Sequence, residues 1–390
     1  MVSVPARSLR WPVNARVMAR SMNDREDIMR KLATSTCVVA ALALLAFAMP
    51  ALTSAPASAK PITVNSTNDD LDGVDGDCTL REAINSAQSG TPSGAAAGEC
   101  PGGKGSGVVK ITFDLDLADD TITLTGQLPL ITERVKIVGP GPAQLTIIVG
   151  GSFRHFRVTG GANLTLSGVR LTEGAFVNGG AIRVEGGSVL SLSDCVLNNN
   201  AGTSLRGGAI NIVGSSTVTV SDCTFFANTT AGSGGAISNE NSTLIVSHSN
   251  FFDNTVPNVE SGGAIINEAS GGGSTASLTV YHSTFSGNTS AGDGGAIGSF
   301  SAGAGSTSTI IITDSTIVAN DAANDGGGVN NHATTAGSTS TMTIIDSIVA
   351  GNTAGVNGFD IHTEQTGGGA HTVSVTNTVF DDCAGASCPP

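Results

Sequence analysis

Apolar and polar positions recur along this chain in long columns. Take Asn200, Asn228, Asn254, Asn288, Asn320 and Asn352 as position zero of successive copies. The tenth residue before each is Leu190, Val218, Leu244, Leu278, Ile310 or Met342. The eighth is Leu192, Val220, Val246, Val280, Ile312 or Ile344, and the third is Leu197, Phe225, Phe251, Phe285, Ile317 or Val349. Every one of these positions is apolar, in a chain whose apolar fraction is 39%. Composition alone does not produce that.

A step of two between the first columns is strand periodicity, with alternate side chains facing one side. Parity breaks before the third column, so the chain must bend between them. Position minus six holds Asp194, Asp222, His248, His282, Asp314 and Asp346. These residue types tolerate the left-handed region that a one-residue bend requires. A short polar stretch follows each Asn and leads into Gly-Gly-Ala-Ile at Gly179, Gly207, Gly234, Gly262 and Gly294, with Gly-Gly-Gly-Val at Gly326. Paired glycines allow the positive φ of a tight turn and a close backbone approach, and Ala-Ile begins another strand.

One copy is therefore expected to hold three short strands, three turns and no helix. Such a unit cannot enclose its own apolar side, whereas stacked copies bury a continuous core. The expected fold is all-β, a right-handed parallel β-helix (solenoid) of about nine or ten coils, the hand following from crossover chirality. The columns continue upstream through Leu164, Leu166 and Leu171, with Gly174 at zero. Downstream they continue through Val373, Val375 and Phe380, with Cys383 at zero.

A solenoid end exposes core and strand edges, so a cap is needed. Thr79-Leu80-Arg81-Glu82 reads as a capping box opening a short helix, with Leu80, Ala83, Ile84 and Ala87 on one face. Residues 60–107 are taken as the N-terminal cap and 108–390 as the β-helix. Residues 37–52 form an apolar run shorter than a membrane span, and 57–59 read Ala-Ser-Ala, so 1–59 are expected to be an export signal, with Met29 as an alternative start. No later stretch could span a membrane as a helix.

Three segments carry a family resemblance. Gly-Gly-Ala-Ile paired with Phe-x-x-Asn (225–228, 251–254, 285–288) resembles the repeat of the chlamydial polymorphic outer-membrane proteins. Cys78-Thr79-Leu80-Arg81-Glu82-Ala83-Ile84 resembles the motif of bacterial CSLREA-domain proteins, with Thr79 where that motif has Ser. Residues 347–363 resemble the last coil of the related choice-of-anchor surface proteins. The resemblance implies a pectate-lyase-like (pectin lyase-like) right-handed β-helix that is secreted or held at the cell surface or outer membrane. No C-terminal β-barrel of the autotransporter-type members is expected from these residues.

Charge narrows the partners. Seven of the 18 Lys and Arg and three of the 32 Asp and Glu lie before residue 60, leaving 11 against 29 and a net charge of −18. No Lys or Arg follows Arg206. Such an acidic surface repels phosphate backbones, which argues against nucleic acid. Six cysteines remain after Cys37, an even number that suits disulfides in an exported chain. Cys78 with Cys100 and Cys383 with Cys388 are the local pairs. Cys195 and Cys223 stack at minus five, where parallel side-chain vectors make bridging awkward.

Candidate chemistry is sparse. The six stacked Asn are read as structural, their amides bonding up and down an inner column. Asp70, Asp72, Asp75 and Asp77 could form a calcium loop, though without EF-hand spacing, and a solvated acidic turn is the simpler account. Asp360, His362 and Glu364, alternating along one strand, are metal candidates weighed against a solvated face. The minus-six column could be a cation track. A lyase would require carboxylates beside an Arg or Lys base, and sugar subsites commonly use Trp or Tyr; after residue 59 there is no Trp and one Tyr, Tyr281. Arg154, His155, Arg157, Arg170, Arg183 and Glu185 leave room for a site on the early coils. Stretches 269–277, 301–309 and 333–341 are longer than their counterparts and should form stacked loops on one side, a candidate binding face.

The expectation is thus a monomeric, exported, adhesion-type scaffold for a surface ligand or glycan, without catalytic residues or a required cofactor. The alternative is a polysaccharide lyase or glycoside hydrolase acting on an acidic glycan.

Overall fold

Each coil turns where the backbone adopts positive φ. The minus-six residues do so throughout, from φ 51° at Asp194 to 49° at Asp346, and Gly168 and Asn377 extend the column at both ends. A second left-handed bend sits one residue before position zero, at Glu173 ahead of Gly174 and at Asn199, Ala227, Asp253, Gly287, Ala319 and Gly351 ahead of the six Asn. The computed structural model describes residues 60–103, 107–114 and 120–385. The expected export signal and Cys388 lie outside the described residues.

Between the bends the chain builds an all-parallel β-solenoid of about nine turns, with four sheets of eleven, ten, nine and seven strands. In one coil Val189–Ser193 joins the eleven-stranded sheet, Val196–Asn198 the ten-stranded, Ala201–Arg206 the seven-stranded and Ile210–Ile212 the nine-stranded. Register is kept by column: Leu190 pairs with Val218, Val218 with Leu244, and Leu197 with Phe225. The apolar column residues from Leu164 to Val349 are at most 1% exposed, while Val373, Val375 and Phe380 in the last coil are only partly buried. Phe225, Phe251 and Phe285 stack with ring centroids 4.7 Å apart, close to the spacing of neighbouring strands.

Two expectations need correcting. A coil holds four strands, not three, because the polar stretch after each Asn pairs as well, through two-residue strands such as Thr229–Thr230 and Thr255–Val256. Only one side chain of each turns inward, Thr230 or Val256, so no period-two signal marks them. The long stretches are also not loops. They lengthen two sheets, giving Ile265–Ser270 with Thr275–Tyr281 and Ile297–Ala302 with Thr307–Thr313, in register with their neighbours. Small residues make this fit: Ala269, Ser301, Ala333, Ser308 and Ser340 are buried inside the rib.

The Gly pairs act as expected. The first Gly of each has φ between 65° and 77°, from Gly179 to Gly326, and Gly358, followed by Phe359 in place of a second Gly, keeps the bend at 59°. A Cβ on the second would meet backbone: at Gly263 it would lie 2.1 Å from the carbonyl oxygen of Gly295.

The Asn column is a continuous hydrogen-bonded ladder. Each Nδ2 donates to the Oδ1 of the next Asn at 2.8–3.0 Å and to a carbonyl of the preceding coil, such as that of Leu197 for Asn228. Each Oδ1 also accepts from a backbone N–H, first from Gly174. A ladder of amides ends with an unmet donor, and here Asp360 meets it. One carboxylate oxygen accepts from the backbone and side chain of Asn352, and the other from the backbone of Asp381 and Asp382. A parallel ladder runs at minus five, where Ser249, Ser283, Ser315 and Ser347 each accept a backbone N–H from the coil before.

At the N-terminus, helix Leu80–Ser89 is capped by Thr79 and Glu82 and buries the four expected residues. Strand Ile62–Val64 pairs with Val109–Phe113 and carries the eleven-stranded sheet into the cap. Cys78 and Cys100 form a disulfide. Cys195 and Cys223 are free and buried; the neighbouring Cys195 sulfur and burial push the Cys223 thiol well up.

Candidate functional site

The strand opened by Ala-Ile has two inward columns. The first is apolar from Ile182 to Ile361, and the second changes along the rod from Val184 and Ile212 to Asn239, Asn267, Ser299, Asn331 and Thr363. Residues between and after them lie on the opposite side of the sheet by alternation, where the column between is itself covered, with Asn211, Asn330 and His362 at 2%, 1% and 6% exposure. One outward column runs through Arg157, Arg183, Asn211, Asn330 and His362, and the next carries Glu240, Glu268, His332 and Glu364. Residues that precede each Gly-Gly, among them Arg206, Asp293 and Asp325, line the edge of this face, joined by Asn357 before Gly358. Most ionisable side chains that pair across coils therefore collect on the outer face of the nine-stranded sheet.

At the N-terminal end Glu185 is held between two cations. One of its oxygens bonds Arg157 and the other lies 2.7 Å from Nε of Arg183. Burial opposes its ionisation, but the two guanidiniums dominate and hold it below the ordinary carboxylate range. Arg154 is only 3% exposed, lies 4.3 Å above the Phe176 ring, and its Nε has no hydrogen-bond partner. Burial, with Arg183 and Arg157 beside it, pushes its pKa down to about 10. Three guanidiniums thus share one carboxylate, in a chain that is otherwise acidic. His155, in contrast, is locked in the interior, with Nε2 2.9 Å from the carbonyl of Ile147, and burial lowers its pKa to about 4. Arg170 bonds the carbonyl of Pro142.

Midway, Arg206 pairs with Glu268 and approaches Glu240 at 4.0 Å, so it bridges successive coils. At the C-terminal end a cavity of about 290 Å³ is lined by Asp325, Asn357, His362, Glu364 and His371, among others. Asp325, His362 and Glu364 each offer a ligand atom, all within 4.8 Å of one another. Burial, followed by Asp325, raises the Asp293 pKa, and burial lowers that of His332.

The sequence-based metal candidates are therefore rearranged. His362 and Glu364 do meet, but Asp360 precedes their strand, Ile361–Gln365, and spends its carboxylate on the Asn ladder; Asp325 takes its place. In the cap, Asp70, Asp72 and Asp75 converge, whereas Asp77 instead bonds Asn68. Asp69 belongs to the architecture, gripping Arg81 through both oxygens and accepting from Thr125. The minus-six residues are exposed at their bends, with the His248 and His282 rings 5.0 Å apart. Asp325 and Asn330 escaped the sequence reading; aligning the residues around each Gly-Gly by coil would have placed both beside His362.

No family model matches the chain, and no curated protein matches it. Two solved structures are similar, both A-modules of mannuronan C-5 epimerases from Azotobacter vinelandii. The AlgE4 A-module has 10% identity and a TM-score of 0.39, covering 82% of this chain and 98% of its own. For the AlgE6 A-module the values are 12% and 0.32, with 83% and 98% covered. At such identities and TM-scores neither likeness bears on the role of this chain. Among the described residues no helix is long and apolar enough to cross a membrane.

Proposed function

We propose that this protein is an exported, surface-acting β-helix that binds its ligand along the outer face of the nine-stranded sheet, taking an anionic group, such as a carboxylate or sulfate of an acidic glycan, at Arg154, Arg157 and Arg183. The observation that carries this reading is the uncompensated charge. A guanidinium buried without a carboxylate partner is costly, and Glu185 is already claimed by the other two arginines. An entering oxyanion would supply the missing acceptor through charge-assisted hydrogen bonds, for which the guanidinium fork is suited. Support for export and a surface role comes from the apolar N-terminal run and from the resemblance to CSLREA-domain and polymorphic outer-membrane proteins. The role is one of adhesion, and no residue is assigned to catalysis.

The test is binding of residues 60–390 to a panel of sulfated and uronate glycans, with Arg154→Met and Arg183→Met beside the unaltered chain. Each variant should bind at least about tenfold more weakly, with a salt dependence reduced in proportion to the lost contact. Unchanged binding, or binding lost only on trimming the rib tips at 271–274, 303–306 and 335–338, rejects the arginine cluster. Release of new chain ends from the same panel would move the reading to a polysaccharide lyase or hydrolase.

A further inference from the structure

The geometry points to a divalent transition-metal site of the zinc class formed by Asp325, His362 and Glu364, at the C-terminal end of the same face. It does not depend on the arginine cluster or on any glycan. One imidazole and two carboxylates within 4.8 Å of one another match the donors that zinc accepts, and a nitrogen donor turns the preference away from calcium, which takes oxygen. Three protein ligands leave one position for water or an incoming group.

A second observation comes from the residue behind His362. Asn330 is 1% exposed, its Nδ2 lies 3.1 Å from Nδ1 of His362, and its Oδ1 has no hydrogen-bond partner. The two ends of a side-chain amide are interchangeable in shape. Turned over, the amide places its oxygen on Nδ1 and accepts the ring N–H, with its NH₂ then standing where the unpartnered oxygen was. That arrangement fixes the imidazole as the tautomer whose lone pair is on Nε2, the nitrogen left for a cation. A ligating His almost always has its other nitrogen oriented in this way by a carbonyl or carboxylate. On the far side Asn357 donates to Oδ1 of Asp325 at 3.0 Å, orienting that carboxylate and leaving its other oxygen available. His332, 3.7 Å from Glu364, stands close enough to hold the glutamate in place.

Untagged residues 60–390, titrated with Zn²⁺ alone by calorimetry, should show one saturable site per chain that Ca²⁺ does not displace. Co²⁺ in its place should give weak visible bands without the intense near-ultraviolet absorption of thiolate ligation, which separates this site from the buried cysteines. His362→Gln and Asp325→Asn should each weaken Zn²⁺ at least about tenfold, and Asn330→Leu should weaken it by a smaller factor. Circular dichroism and thermal unfolding check that each variant is folded. If His362→Gln does not fold, Glu364→Gln carries the same test, because that side chain is 42% exposed. The absence of a saturable site overturns the proposal, as does a site that survives both ligand substitutions or one removed instead by His282→Gln or Asp72→Asn. A preference for Ca²⁺ over Zn²⁺ overturns the choice of ion.

Discussion

Replacing Asp360 with Asn alters one terminal group of a single side chain and should loosen the whole C-terminal end. The carboxylate is fully buried and accepts four N–H donors, two from Asn352 and one each from Asp381 and Asp382, at 2.6–3.1 Å. A carboxylate is acceptor-only, so it can end a ladder of amides from either direction. An Asn at this place keeps one oxygen and turns an NH₂ against the other pair of donors. Two donors then lose their acceptor, at about 1.5–3 kcal/mol each for bonds to a charged group, or about 3–6 kcal/mol together. Each coil touches only its neighbours, so the loss should fall on the last turn instead of spreading along the rod. Hydrogen exchange by mass spectrometry should show peptides from 353–385 losing protection, while peptides from 190–260 are unchanged. Urea unfolding monitored by circular dichroism should gain an early phase. Wild-type protection across 353–385 would refute the idea that the carboxylate terminates the ladder.

Two further outcomes follow from the geometry. Gly263→Ala sets a Cβ 2.1 Å from the carbonyl oxygen of Gly295, so the coils must separate locally and the thermal midpoint should fall by several degrees. Gly272→Ala, whose Cβ would meet only one atom at 3.6 Å, should leave it near wild type. His155 has a folded pKa of about 4, depressed by burial, against about 6.5 unfolded. Its stabilisation is present above pH 6.5 and is lost as pH falls through 4, by about 3 kcal/mol in all. His155→Gln should flatten that part of the stability curve relative to wild type, and parallel curves would refute the assignment.

The solenoid was legible because its core rests on strict columns. Leu190, Val218 and Leu244 repeat with their strands, and the minus-six Asp and His announce a bend by residue type. The bend one residue before Asn was hidden, since Asn199, Ala227, Asp253, Gly287 and Ala319 share no chemistry and are held at positive φ by their surroundings. The fourth strand was hidden for a related reason, as two residues with one inward side chain carry no period. The candidate sites were least legible. Asp325 and His362 lie 37 residues apart and meet only because one precedes a Gly-Gly and the other follows the equivalent Gly358-Phe359, one coil later. The ladder that claims Asp360 is likewise visible only when Asn352 is seen beside it.

Because every coil hands the next one the same donors and receives the same acceptors, the length of this rod is uncoupled from its chemistry. Duplicating or excising one full turn, from one Gly-Gly to the next, would preserve the amide spine, the N-terminal cap and the carboxylate that ends the ladder. Selection can therefore lengthen or shorten the reach of such a protein by whole turns without redesigning its interior, while the two terminal plugs, which have no copies, remain fixed.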